Sequence, residues 1–390
     1  MNTYNFAFYD LVSGALGNVS SHTLQAFVDN YFEKYNALDI KGCHFAPDME
    51  WDYHYDQDIF ERGIQVMASI YDVDSTPIPL GPEQAAQLSG KIPVMKDIEY
   101  LNRDKMRKAA IAREVSGLNS DADFERLFRK VDSLVGSITN RLSWMRNQMF
   151  GKGFIELTSV TNTYGVTPTG VTQKFASHVP AANRVTKSDD ARWWTSATRT
   201  TANEGANSDP IKDLQDIVQA GSDKGMIGHF EVDRLFFRDI LGHSKVIAAI
   251  AANIYPTSDV TTRNATAAYL GYDRKRQALE DILGVRIEVN DGLSAVESWD
   301  NTNKKLVKTT MRSFPDGVIS YVPDGDICEI VAVRPVLVEG GNYGFFYGGR
   351  LVLTVGVDYI KQCQSLATEM AALPVPQSPQ LMWFLYPCNV

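Results

Sequence analysis

Cysteine is scarce in this chain, and the four present (Cys43, Cys328, Cys363 and Cys388) share no metal-binding spacing. Nor do they form the paired framework of a small secreted fold, so their usage fits a reducing cytoplasm. Long apolar runs are missing as well: no segment approaches the ~20 continuous apolar residues of a membrane span. The start, Met1-Asn2-Thr3-Tyr4-Asn5-Phe6, lacks the basic and apolar regions of a signal peptide. Positive charge is in deficit, 38 Lys and Arg against 47 Asp and Glu, for a net charge of −9. That balance argues against holding nucleic acid by phosphate neutralisation, though not against facing it across solvent. What is there, 44% hydrophobic and 22% charged residues in a chain of 390, is ordinary for a folded protein. The length allows two domains with real cores or one elongated body.

The most informative stretch is the ending. Leu373-Pro374-Val375-Pro376-Gln377-Ser378-Pro379 carries prolines that forbid helix, and Leu381-Met382-Trp383-Phe384-Leu385-Tyr386 reads as a buried strand. Chain ends are usually polar and mobile, so this one predicts a C-terminus that returns to the core and completes a sheet. Upstream, Leu24, Phe27, Val28 and Tyr31 recur at helical spacing after Ser20 and Ser21, giving an arm over 1–60 with one amphipathic helix. Residues 61–118 read as an extended hairpin. Ile64–Ile70 is strand-like, and Pro77, Pro79 and Pro82 punctuate a long loop of the functional kind.

The strongest periodic signal follows. Phe124, Leu127, Phe128, Val131, Leu134, Val135, Ile138, Leu142, Met145 and Met149 hold one helical face, and Gly151 and Gly153 stop it. The stripe is too wide and aromatic for a coiled-coil seam, so a sheet laid along the helix is expected. Strands around Phe154–Thr158 and Val171–Phe175 come next. A helix capped by Asp209 with Pro210 at its first position is predicted, then helices over Glu231–Leu241 and Asp273–Leu283 and a strand over Val285–Val289. Turns at Asp300-Asn301, Asp316-Gly317 and Asp324-Gly325 complete an α/β region over 210–350. A strand over Leu351–Val355 and a short helix over Val357–Met370 lead to the closing segment.

Candidate chemistry is thin. Asp52, His54, Asp56 and Asp58 would share one face of a strand, opposite Trp51, Tyr53 and Tyr55, and three carboxylates with an imidazole could hold a hard divalent cation. The simpler reading, a solvated face of an edge strand with its aromatics packed inward, is favoured because alternation alone produces it. Glycines 340, 341, 344, 348 and 349 lie between strands with no following helix and no lysine at Walker spacing, so a tight hairpin is expected. The other histidines (His22, His44, His178, His229 and His243) lie far apart in sequence and read as ordinary surface or core residues. The basic run from Arg103 to Arg113, interrupted by Asp104, reads as a solvated or subunit-contact face. No catalytic, cofactor-binding or metal residue is assigned from the sequence.

The order of these pieces resembles the major capsid protein of tailed bacteriophages, in the lambda-type major capsid protein E family. Three local features carry the likeness. The long helix ends in Met149-Phe150-Gly151-Lys152-Gly153 and leads into β-rich sequence. Trp194 precedes Asp209-Pro210 and Asp213-Leu214, similar to the family's tryptophan, aspartate-proline and acidic-aliphatic sequence. Met370-Ala371-Ala372-Leu373-Pro374 with Pro379 is similar to the family's ending. The resemblance implies an α+β fold, the Johnson fold of tailed-phage capsids. Its parts would be an N-terminal arm (1–60), an E-loop (61–118), a peripheral domain (119–200) with a spine helix at 121–150, an axial domain (201–350), and a return (351–390) with the C-terminal strand. It implies no enzyme and no cofactor, but self-assembly into hexamers and pentamers of an icosahedral virion capsid enclosing double-stranded DNA, built in the host bacterial cytoplasm. The partners implied are further copies of itself, a separate scaffolding protein, a portal, a decoration protein and packaged DNA faced non-specifically, with no membrane. Residues 294–325 carry no family motif. Two alternatives stay open: a cellular nanocompartment shell of the same fold, and a metal-dependent enzyme using Asp52, His54, Asp56 and Asp58.

Overall fold

The computed structural model describes residues 25–26, 28–30, 32–60, 85–101, 121–157, 173–176, 178–256, 259–300, 305–337, 342–358 and 363–388. The apolar stripe becomes the helix that its spacing predicts, α1 (Asp121–Lys152), with Val131, Leu134, Val135, Ile138, Leu142, Met145 and Met149 all buried. At ~1.5 Å per residue the rod is roughly 48 Å long. Gly153 ends it in the left-handed region at φ 73°, its N–H bonding the Met149 carbonyl at 2.9 Å. The chain falls into two compact units, and α1 contributes to both, as far as Ser143 to the first and from Trp144 to the second.

The first unit comprises Met1–Tyr55, Ser89–Ser143 and Glu329–Pro374. Its sheet runs β1 (Cys43–Phe45), β13 (Cys328–Ala332), β16 (Cys363–Pro376), β15 (Leu351–Asp358) and β14 (Asn342–Phe346), with β4 (Val94–Leu101) also paired to β16. The short helix predicted over Val357–Met370 gives way to strand among the described residues: Val357 and Asp358 end β15, and Cys363–Met370 begin β16. Leu366 and Met370 fit a helical spacing, but Leu366, Thr368 and Met370 are buried alternately, the strand period. Pairing of Leu366 with Val355 of β15 and with Glu99 of β4 satisfies that backbone from both sides. The glycine-rich stretch gives the expected hairpin, β14 against β15, with Tyr347, Gly348 and Gly349 at positive φ in the turn. Residues 25–26 and 28–30 of the arm are helical, with Val28 buried.

The second unit comprises Asp56–Leu88, Trp144–Cys328 and Val375–Val390. Its sheet has the order β7 (Arg184–Thr186), β17 (Trp383–Tyr386), β12 (Ile319–Pro323), β8 (Gly228–Asp233) and β9 (Ile287–Asn290). The closing apolar run is therefore an interior strand, parallel to β7 and antiparallel to β12. The five-part division grouped that strand with the spine helix, apart from 201–350, yet it pairs with β12, which belongs to that stretch. It still meets the end of α1, where the Tyr386 hydroxyl donates to the Lys152 carbonyl at 3.1 Å.

Among the described residues five α-helices follow one another in this unit: α2 (Pro210–Ser222), α3 (Arg234–Gly242), α4 (Ser244–Ile254), α5 (Val260–Ala268) and α6 (Tyr272–Leu283). Trp193, Trp194, Leu214, Phe236, Ile240 and Leu385 are among the residues of their common core. Asp209 caps α2 as its sequence signature predicts, accepting from the Lys212 N–H at 3.2 Å. The helix predicted from Glu231 begins three residues later, because Asp233 caps α3 through the Leu235 N–H and so must itself stay extended. Two-stranded ladders pair β5 (Phe154–Leu157) with β6 (Gln173–Ala176), and β10 (Leu293–Asp300) with β11 (Lys305–Arg312). The latter ribbon, with β12, accounts for much of 294–325. Separately, β2 (His54–Phe60) pairs with β3 (Ala85–Lys91). Much of the predicted E-loop, including Ile64–Ile70 and the basic run 103–113, lies outside the described residues.

Candidate functional site

Of the face that could alternatively hold a metal, only part is described. Asp52 and His54 are both exposed, 3.7 Å apart at their nearest charged atoms, and β2 begins only at His54. Asp56 and Asp58 lie in β2, but their side chains are outside those described. The aromatic face is also corrected. Tyr55 packs inward beneath Gly90, but Trp51 is 81% exposed with Arg334 stacked on its ring, and Tyr53 is exposed. Three residues before the strand the backbone is still turning, so strict alternation does not apply there.

Strand β4 does carry an unusual face. Alternation sends Val94, Ile98 and Tyr100 outward at 40, 45 and 42% exposure, with only Lys96 among them, tied to Glu369 at 2.8 Å. The acidic residues point the other way, toward α1: Asp97 accepts from the Ser137 hydroxyl at 2.7 Å, and Glu99 pairs with Lys130. A solvated strand should show the reverse arrangement, polar outward and apolar inward. A run of apolar side chains held in water marks a surface made to be covered.

The second unit buries a polar cluster that sequence distance concealed. His229 and Glu231 alternate on β8, and Glu288 stands on the neighbouring parallel strand β9 in register with Glu231. His229 Nδ1 lies 2.6 Å from Asp324 Oδ1, just beyond β12. Its Nε2 lies 3.4 Å from Glu288 Oε2 and 3.6 Å from Glu231 Oε1. Arg146 of α1 binds Glu231 with both terminal nitrogens at 2.6 Å, and the two side chains are 2% and 0% exposed. Arg286 reaches Asp324 at 3.2 Å and Glu288 at 3.3 Å. The i, i+2 spacing of His229 and Glu231 was readable in the sequence, but Glu288, Asp324 and Arg146 are joined to it only by the fold.

A further buried histidine invites a nucleophile reading and fails it. His243 Nε2 stands 3.3 Å from the Ser208 hydroxyl, but its Nδ1 already accepts the Lys245 N–H. The proton therefore resides on Nε2, and the ring cannot take one from Ser208. Burial pushes the imidazole below its ordinary pKa despite nearby Glu204. It is Trp193, not the flagged Trp194, that bonds the acidic residue: its indole donates to Asp213 at 2.8 Å, while Trp194 stacks edge-on to Phe236 and His243.

A family model described as Phage major capsid protein E matches residues 60–333. No curated protein matches the sequence. Among solved structures, a phage-related protein from Bordetella bronchiseptica RB50 is similar at 12% identity and a TM-score of 0.47, over 97% of this chain and 95% of that one. A capsid protein described as that of a prophage in Escherichia coli CFT073 is similar at 10% identity and a TM-score of 0.47, over 93% and 98%. The capsid of the cyanophage P-SCSP1u is similar at 10% identity and a TM-score of 0.41, over 91% and 88%. Structural likenesses this distant carry no argument of their own. The family match spans well over half the chain.

Proposed function

This chain belongs to the phage major capsid protein E family, a shell protein of the virion, and from that premise we propose how its copies assemble. Subunits join into hexamers and pentamers of an icosahedral head around double-stranded DNA. The segment 61–118 reaches over a neighbouring subunit as an E-loop, with a separate scaffolding protein guiding closure and a portal at one vertex. The observation that carries the reading beyond family membership is the outward apolar face of β4, which lies within that segment. A lone subunit leaves Val94, Ile98 and Tyr100 in water, whereas a neighbour seated on them would remove that surface from solvent.

The role is structural, carried by interfaces. The net charge of −9 suits a lining that must contain DNA without gripping it. The nanocompartment alternative shares the fold, but no observation favours it over the phage family match. Electron microscopy of the purified subunit, alone and co-expressed with a scaffolding protein, tests the reading: closed shells are expected. Persistent monomers under both conditions would overturn it.

A further inference from the structure

The imidazole of His229 is 5% exposed, and its two nitrogens face different chemistry. A carboxylate can only accept a hydrogen bond when ionised, so Asp324 at 2.6 Å fixes the ring proton on Nδ1. That leaves the Nε2 lone pair directed at two more carboxylate oxygens, 3.4 and 3.6 Å away, and Nε2 has no hydrogen-bond partner among the described residues. Arg146 and Arg286 offset charge on Glu231 and Glu288 from outside, and a cation between the three converging electron-rich atoms would relieve the repulsion that remains among them.

A proton is one such cation, but an imidazolium N–H would draw one oxygen to an ordinary charge-assisted hydrogen bond of about 2.7–2.9 Å. Here the ring instead stands nearly equidistant from both oxygens at longer range. Ligands at about 2.0–2.1 Å from a tetrahedral ion are separated by about 3.3–3.4 Å, close to both observed spacings. The longer bonds of calcium would open those spacings, and an imidazole donor favours zinc-class ions over magnesium or calcium. The surrounding contacts are also those a metal site uses. Asp324 orients the histidine through its other nitrogen, and Arg146 clamps Glu231 in place, occupying one lone pair of Oε1 and leaving the other. All three ligand atoms lie within 4.8 Å of one another.

We propose that His229 Nε2, Glu231 Oε1 and Glu288 Oε2 form a binding site for one zinc-class divalent ion, with Asp324 and Arg146 as positioning residues. The ion would tie β8 to β9 inside the second unit, and the inference stands independently of how subunits assemble. The test uses the full-length subunit, stripped with chelator and dialysed against ZnCl2, with bound metal measured per chain. One equivalent is expected, together with a rise in thermal unfolding temperature. Replacing zinc by CoCl2 should give the visible absorption of a tetrahedral cobalt site.

Glu288→Gln, which keeps shape and removes one anionic ligand, should weaken uptake at least tenfold. Asp324→Asn should weaken it by roughly ten- to a hundredfold, as lost orienting contacts do. His229→Gln should abolish the cobalt spectrum; if that variant does not fold, Glu288→Gln and the wild-type spectrum decide. A folded wild type that takes up no zinc would overturn the proposal. Uptake undiminished in Glu288→Gln and Asp324→Asn would place the metal elsewhere, for instance at exposed Asp52 and His54, and would equally overturn it.

Discussion

At the scale of single residues, the Arg146–Glu231 pair bears directly on stability, because both side chains are buried. Both charges are desolvated, and two 2.6 Å hydrogen bonds in fork geometry offset the cost of burying them. Removing only one partner strands the other. Arg146→Ala is expected to destabilise the protein by about 3–5 kcal/mol, and replacing both residues with apolar ones of similar volume should recover most of that loss. Denaturant unfolding of the two variants measures the difference. Cysteine chemistry at the same scale is sorted by burial. Desolvation pushes the Cys388 thiol up to about 11, more than nearby Arg199 pulls it down. Cys388 should therefore resist alkylation at neutral pH until the chain unfolds, while half-buried Cys43 reacts before it; mass spectrometry of the labelled protein reads this directly. His243 supplies a pH signature. Its folded pKa is depressed by burial, so the unfolded chain binds a proton that the folded chain refuses. Stability contributed there is present above about pH 6.5 and is lost as pH falls below it. His243→Gln should flatten that part of the acid limb when unfolding is compared at about pH 7.5 and about pH 5.5.

At the scale of elements, the closing strand is the part on which most depends. Trp383, Phe384 and Leu385 are buried, and β17 is bonded on both edges, by β7 and by β12. Leu385→Ala should cost roughly 2–5 kcal/mol, the range for a leucine deleted from a packed core. Truncation before Gln380 should prevent shell formation altogether, because it opens the sheet between β7 and β12. Normal shells from the truncated chain would show that the strand is dispensable. That strand was legible in the sequence because six large apolar residues after prolines leave few alternatives, and α1 was legible because its stripe runs unbroken for many turns. Its sheet partners were not. Pairing with β12 and β7 joins residues scores to hundreds of positions apart, which no local pattern encodes. The same limit explains Val357–Met370, where a local helical spacing yielded to the neighbours on either side of β16. It also explains the polar cluster, in which only the pairs His229–Glu231 and Arg286–Glu288 are close in sequence.

For the whole molecule, the question is what a single chain leaves unfinished. Strand β4 turns its acids toward α1 and its apolar residues toward water, an inversion that costs a solitary subunit solubility and rewards one that has a neighbour. Because Val94, Ile98 and Tyr100 are each more than a third exposed, changing them should separate folding from assembly. Ile98→Lys combined with Tyr100→Lys is expected to leave the circular dichroism spectrum and unfolding midpoint of the isolated subunit nearly unchanged, since surface substitutions away from buried features usually shift stability by no more than about 0.5 kcal/mol. Shell formation should be lost, because two ammonium groups would then have to be desolvated at each contact that used to exclude water from aromatic and aliphatic surface. Sedimentation velocity would show the variant as small species where the parent forms large particles, and electron microscopy would show no closed shells. If the doubly charged subunit assembled as well as the parent, β4 would face solvent in the finished head, and the contact between copies would have to be sought on another face.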